Sequence, residues 1–195
     1  MNSQKQMDKI KDYIQITKVM PDQFCDELIK EMEKTPWTLH SWYDATAFYE
    51  GKNPVAQYEK ELSVQFCSDE QAKTIIPYVD KALQPYHVKH SGKENLTLFT
   101  RLSRIRFNKY EPGTLMRLHI DHIHDIFDGK IKGIPVVSIV GCLNDDFEGA
   151  DFILCGEKIS LKKGDILLFP SNFMYPHQVT EATKGIRYSF VGWVF

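Results

Sequence analysis

The chain has 195 residues, 43% apolar and 26% charged, with a formal net charge of −2. That length and composition can bury an ordinary core, predict a single domain, and exclude the disordered and repeat classes. Charge is evenly spread, 12 Lys/Arg against 15 Asp/Glu in residues 1–100 and 12 against 11 in residues 101–195, so no basic half exists to grip phosphates and no nucleic-acid partner is expected. The cysteines at 25, 67, 142 and 155 form no CxxC pair and read as small core residues. No run approaches the roughly 18 apolar residues that span a bilayer, and MNSQKQMDKIKDY lacks a signal-peptide core, so a cytoplasmic protein without a membrane partner is expected.

In chain order, Tyr13–Val19 is rich in strand formers and predicts a first strand. PDQFCDELIKEMEK follows, with Phe24, Cys25, Leu28, Ile29 and Met32 at near-helical intervals behind acidic first-turn residues, an amphipathic helix that must pack on something else. Residues 37–67 mix aromatics with turn formers and resist assignment. A second helix is predicted from Ser68, whose hydroxyl can cap SDEQAKTIIPYVDKAL, with Pro77 expected to break or kink it. From residue 95 the texture changes to short strands, at 98–108, 114–119, 135–143, 151–155, 157–161, 165–169, 175–180 and 185–194, separated by turns such as Glu111-Pro112-Gly113 and Lys163-Gly164-Asp165. Eight short antiparallel strands fit a double-sheet jelly roll. The expected architecture is therefore mainly β with flanking helices, residues 1–94 forming a helical support for a jelly-roll core at 95–195.

Chemistry concentrates at Leu118-His119-Ile120-Asp121. In an extended segment side chains alternate faces, so His119 and Asp121 offer an imidazole and a carboxylate on one side. The best third ligand is His177, inside the predicted strand at 175–180. Two histidines and a carboxylate form the facial triad that holds non-haem Fe(II) and leaves open positions. Arg187 and Ser189 share a face of the last strand, where a guanidinium and a hydroxyl can clamp the distal carboxylate of a dicarboxylic acid chelated to iron. By alternation His122 and His124 point away from the triad and read as exposed loop residues, the competing reading being a second metal or a substrate contact. Residues 122–133 are polar and glycine-containing, as in a mobile loop that orders on substrate binding, and the unassigned aromatic region 37–67 is expected to form the other wall of the pocket. Phe173 and Met174 read as core residues, and Pro170 as a turn.

The segments NKYEPGTLMRLHIDH, CLNDDFEGADFIL and KKGDILLFPSNFMYPHQVTEATKGIRYSFVGWVF resemble, in order and spacing, the catalytic core of 2-oxoglutarate and Fe(II)-dependent oxygenases, in the prolyl 4-hydroxylase-like branch. The resemblance covers about residues 98–195 and implies a double-stranded β-helix with His119, Asp121 and His177 as iron ligands and Arg187 as the 2-oxoglutarate anchor. It also implies that Tyr110 faces the cofactor pocket; Arg106 and Asn108 share its strand parity and join it as pocket residues, and Trp193 matches an aromatic that follows the anchor. Implied cofactors are Fe(II), 2-oxoglutarate and O2, with ascorbate as a stimulant, and the implied reaction hydroxylates a C–H bond of a prolyl residue in a peptide or protein, releasing succinate and CO2.

The chain also departs from the family pattern. Gly141-Cys142-Leu143-Asn144 lacks the aromatic that many prolyl hydroxylases place before Leu-Asn, so Ser189 is expected to replace a missing phenol contact to the co-substrate. Arg187 stands where collagen-type relatives often use lysine, and Gly149-Ala150 replaces a Gly-Gly pair. Three other readings compete: a same-fold oxygenase acting on a free amino acid or small metabolite, a cupin-like module that binds without turnover, and a zinc hydrolase, which needs a general base beside the metal.

Overall fold

Residues 10–91, 101–121 and 134–195 are described in a computed structural model of the chain. The predicted loop at 122–133, with His122 and His124, lies outside the described residues. The strands are β1 (Gln15–Lys18), β2 (Thr38–Leu39), β3 (Trp42–Tyr43), β4 (Val55–Ala56), β5 (Ser63–Phe66), β6 (Arg106–Tyr110), β7 (Met116–His119), β8 (Val137–Cys142), β9 (Glu148–Gly149), β10 (Phe152–Leu154), β11 (Glu157–Ile159), β12 (Asp165–Pro170), β13 (His177–Val179), β14 (Ala182–Lys184) and β15 (Arg187–Val194). The helices are α1 (Asp22–Met32), α2 (Ala45–Tyr49) and α3 (Asp69–Ser91).

Seven strands form one antiparallel sheet in the order β1-β12-β8-β15-β6-β5-β2, and four form a second in the order β11-β10-β13-β7. Strand parity sorts the side chains of the large sheet into two cores. Ile166 and Leu168 of β12, Val137 and Ile139 of β8 and Phe190 and Val194 of β15 pack with Cys25, Leu28 and Met32 of α1 and Ile75, Val79, Ala82 and Tyr86 of α3. Leu167, Phe169 and Val140 point the other way, joining Met116, Phe152, Leu154 and Val179 of the small sheet. Period-2 alternation is enough to build a helix layer on one face and a sheet on the other. The architecture is the jelly roll with helical buttress that the strand pattern predicts.

Several details differ from the sequence expectation. The helix from Ser68 continues through both Pro77 and Pro85 to Ser91. Each interior proline costs about 3 kcal/mol, yet both lie on the exposed face, and burying large residues such as Ile75, Val79 and Tyr86 returns roughly 1.5–3 kcal/mol apiece. Its start is a reciprocal cap, the Gln71 amide donating to Ser68 Oγ at 3.2 Å and the Ser68 amide to Gln71 Oε1 at 2.8 Å. The strand expected at 98–108 forms only from Arg106, residues 92–100 being outside the described residues and Leu102 making an isolated bridge to Val194.

The first half is also more than a helical support. β1 pairs with β12, and β5 with β6, so the region that resisted assignment supplies strands to the large sheet. Cys155 is half-buried and not core, because with Gly156 it makes the two-residue β10–β11 turn in which both residues have positive φ, 53° and 81°. Phe173 and Met174 are exposed, at 75% and 46%, since they occupy the loop ahead of β13. Among the described residues no helix is long and apolar enough to cross a membrane.

Gly141 sits in β8 opposite Phe190 of β15, and a Cβ there would lie 2.1 Å from the Phe190 ring. Gly141→Ala is expected to lower the unfolding free energy by about 1–3 kcal/mol through overpacking, measured by denaturant titration.

Candidate metal centre

β13 and β7 pair antiparallel with His177 directly opposite His119, which sets the two imidazoles 4.3 Å apart between ring centroids. β7 ends at His119, and Asp121 lies just past it. Its Oδ1 is 3.9 Å from His119 Nε2 and 3.8 Å from His177 Nε2. One ligand atom from each residue falls within 4.8 Å of the others, and among the described residues this is the group of three metal-capable side chains.

The tautomers follow from the main chain. His119 Nδ1 bonds the Arg117 carbonyl at 2.7 Å and His177 Nδ1 the Tyr175 carbonyl at 3.0 Å. A carbonyl only accepts, so each Nδ1 donates and each Nε2 is the ring nitrogen turned toward Asp121. Burial and the neighbouring His177 push His119 down to about 4, which keeps that imidazole neutral at physiological pH. The second oxygen of Asp121 accepts from Ser138 Oγ, and Ser138 Oγ is 2.6 Å from Ser171 Oγ. The donor set fits a divalent ion of the non-haem iron type: two imidazoles and a carboxylate, each already oriented by an outer hydrogen bond.

Arg106, Asn108, Tyr110 and Trp193 line the same cavity as the triad. Along β6 the inward side chains form a ladder, Arg106 Nε donating to Asn108 Oδ1 at 3.1 Å and Asn108 Nδ2 to Tyr110 Oη at 3.4 Å. The Arg106 guanidinium lies 5.7 Å from the centre of the Trp193 ring. Burial pushes the Tyr110 phenol up, keeping it neutral.

Arg187 is 2% exposed and faces a different cavity, of about 340 Å³, shared with Cys142, Phe147, Ala150 and Phe152. Its Nη1 donates to the Ala150 carbonyl at 2.8 Å, and its Nε has no hydrogen-bond partner. Tyr110 stacks 5.4 Å from the guanidinium while also lining the triad cavity, and Phe152 lines both, so these two rings join Arg187 to the triad. Ser189 is buried between Arg187 and Val191 on the same strand face. Burial pushes the Cys142 thiol up to about 11, leaving it an unreactive wall.

The sequence reading missed Ser138, Ser171, Trp42 and Glu61. Ser138 left a trace, a hydroxyl at an inward position of the otherwise apolar Val136-Val137-Ser138-Ile139-Val140. Trp42 and Glu61 fall in the segment 37–67 expected at the pocket wall, but neither was singled out, because that segment has no readable period.

Residues 105–195 match the family described as the 2OG-Fe(II) oxygenase superfamily. A PKHD-type hydroxylase of Paraburkholderia xenovorans (strain LB400) is 28% identical over 94 residues, covering 45% of this chain and 40% of its own length. That match thus spans about two fifths of the curated relative. A second, from Prochlorococcus marinus (strain NATL1A), is 25% identical over 174 residues, covering 86% of this chain and 72% of its own. Among solved structures, a Pseudomonas putida prolyl-4-hydroxylase superposes with a TM-score of 0.63 at 21% identity, covering 96% of this chain and 97% of that one. A Trichoplax adhaerens prolyl hydroxylase in complex with a hypoxia inducible factor peptide fragment superposes with a TM-score of 0.67 at 17% identity, covering 100% and 94%. These structures share the jelly-roll fold of this chain.

A ligand that binds only the folded state stabilises it by about 2.7 kcal/mol at a hundredfold excess over Kd. Co(II) or anaerobic Fe(II) at that excess is expected to raise the thermal midpoint of the wild type, and His119→Ala, Asp121→Ala or His177→Ala to abolish the shift in scanning fluorimetry.

Proposed function

We propose, from the match of residues 105–195 to the 2OG-Fe(II) oxygenase superfamily, that the protein is a 2-oxoglutarate- and Fe(II)-dependent hydroxylase acting on a prolyl residue in a peptide or protein. The observation that carries the reading is the His119–Asp121–His177 donor set, joined through Tyr110 to a buried arginine with a free Nε. His119, Asp121 and His177 are the residues that would hold iron. When bound, Fe(II) with 2-oxoglutarate and O2 supplies the hydroxylation of a C–H bond, the co-substrate leaving as succinate and CO2; ascorbate belongs to the proposal as the reductant that keeps iron ferrous.

The chain's own residues supply binding and orientation. A buried guanidinium is costly without an anion, and among the described residues Arg187 has no carboxylate within ion-pair distance. Its unpartnered Nε is a ready donor for the distal carboxylate of 2-oxoglutarate, with the Ser189 hydroxyl beside it and the neutral Tyr110 phenol along the path. Arg106 and Trp193 form the wall left for the substrate, where a guanidinium can donate to a peptide carbonyl and an indole can cover an apolar ring. A prolyl peptide is supported by that wall and by the prolyl hydroxylases among the structural relatives, one holding a peptide. A cytoplasmic setting is part of the proposal, supported by four cysteines that are all free thiols.

Asp121→Ala is expected to abolish succinate formation. Arg187→Ala removes a charge-assisted bond worth about 1.5–3 kcal/mol and is expected to weaken 2-oxoglutarate binding roughly ten- to 150-fold, seen as a raised KM for the co-substrate. Proline-containing peptides are expected to gain one oxygen, by mass spectrometry, only with Fe(II) and 2-oxoglutarate present. Oxygen gain confined to free amino acids would move the substrate class, and 2-oxoglutarate binding with no succinate in air would make the protein a binding module.

A further inference from the structure

Glu61 is a carboxylate with a fully buried side chain that plays no part in the function proposed above. Its Oε1 accepts from Trp42 Nε1 at 2.7 Å and lies 3.5 Å from Arg117 Nε, while its Oε2 faces His40 Nδ1 at 3.2 Å. Both residues that share Oε1 touch His119. Arg117 provides the main-chain carbonyl for His119 Nδ1, and the Trp42 indole stands edge-on to the imidazole, with centroids 5.2 Å apart and planes at 78°. The backbone around Glu61 is tied to the same strand system, by a parallel bridge to Leu115 and by the Leu115 amide donating to the Lys60 carbonyl at 2.9 Å. On its other side the His40 amide donates to the Leu62 carbonyl at 2.9 Å, which brings in the segment leading to Trp42.

The hydrogen bond at Nδ1 pins one point of the His119 ring and leaves it to tilt about that point, since the χ2 torsion of histidine is broad. A lateral contact removes that freedom. We propose that Glu61 and Trp42 are positioning residues for His119: the carboxylate holds the indole, and the indole sets the tilt of the imidazole. The inference rests on the reading of His119 as a metal ligand. A buried charged cluster adds little net stability over apolar side chains of equal volume, so the distinctive effect of this one is geometric. Outer partners of metal-binding histidines govern affinity by such orientation.

The test is calorimetric titration of the metal-free protein with Co(II), together with denaturant unfolding of the same metal-free variants. His119→Ala is expected to lose binding. Trp42→Phe keeps a ring but deletes the donor, Glu61→Leu deletes the acceptor, and each is expected to bind ten- to hundredfold more weakly. Glu61→Gln retains an acceptor for Trp42 and is expected to stay within about threefold of wild type. Trp42→Phe leaves the buried carboxylate a donor short, so its denaturant midpoint is expected to fall, and the affinity losses of Trp42→Phe and Glu61→Leu are expected not to rank with their midpoints. Wild-type affinity in Trp42→Phe and Glu61→Leu, with His119→Ala inactive in binding, would overturn the inference alone. Affinity losses that merely follow metal-free stability across the three variants would overturn it as well, reducing the cluster to a structural role. Unimpaired binding by His119→Ala would overturn the metal reading, and this inference with it.

Discussion

Everything at the centre depends on the register of β13 against β7. In an antiparallel pair, directly opposed residues point to the same face, and a slip of one residue would send His177 to the other side of the sheet. With His177 opposite His119, both histidines also bond the carbonyl two residues upstream, Arg117 in one case and Tyr175 in the other. The same local arrangement on two strands leaves two Nε2 atoms facing one carboxylate. Asp121 completes the group because the strand stops at His119 and the chain then carries the carboxylate back toward both rings.

The second constraint is charge inside an apolar sandwich. Arg187 is buried, Arg106 lines the triad cavity, and the Glu61 side chain is wholly enclosed. Each is answered differently. Glu61 has three donors around it. Arg106 is held by Asn108 and the face of Trp193. Arg187 is only part-satisfied, with one bond to Ala150 and an unpartnered Nε. Incomplete satisfaction of a buried cation is destabilising in the isolated protein and favourable to an anionic ligand, which is why that arginine points to a dicarboxylate more strongly than a fully paired one would.

The two halves of the chain meet at the metal-capable strand. Strands from the first half complete the large sheet, and the segment 59–62 lies beside β7. Trp42 therefore reaches His119 from a region separate in sequence from every other site residue. The second half supplies the donors, and the first half contacts the ring of one of them.

What the residues alone determined was whatever obeys a short period or a short spacing. The two-residue spacing of His119 and Asp121 marks them as a pair, Arg187, Ser189 and Trp193 share a face of one strand by parity, and β7, β8, β10 to β13 and β15 show as alternating or continuous apolar runs between turns. Only the tertiary structure decided which polar positions would meet across strands. That His177 faces His119, that Ser138 reaches Asp121, and that Arg187 opens on a separate cavity joined through Tyr110 and Phe152 are consequences of register and packing between distant segments. Pro77 shows the same limit from the other direction, since local propensity breaks a helix that burial against a sheet restores. Glu61 and Trp42 were invisible for the plainest reason: nothing within a few residues of either one announces a partner that folding brings from the far half of the chain.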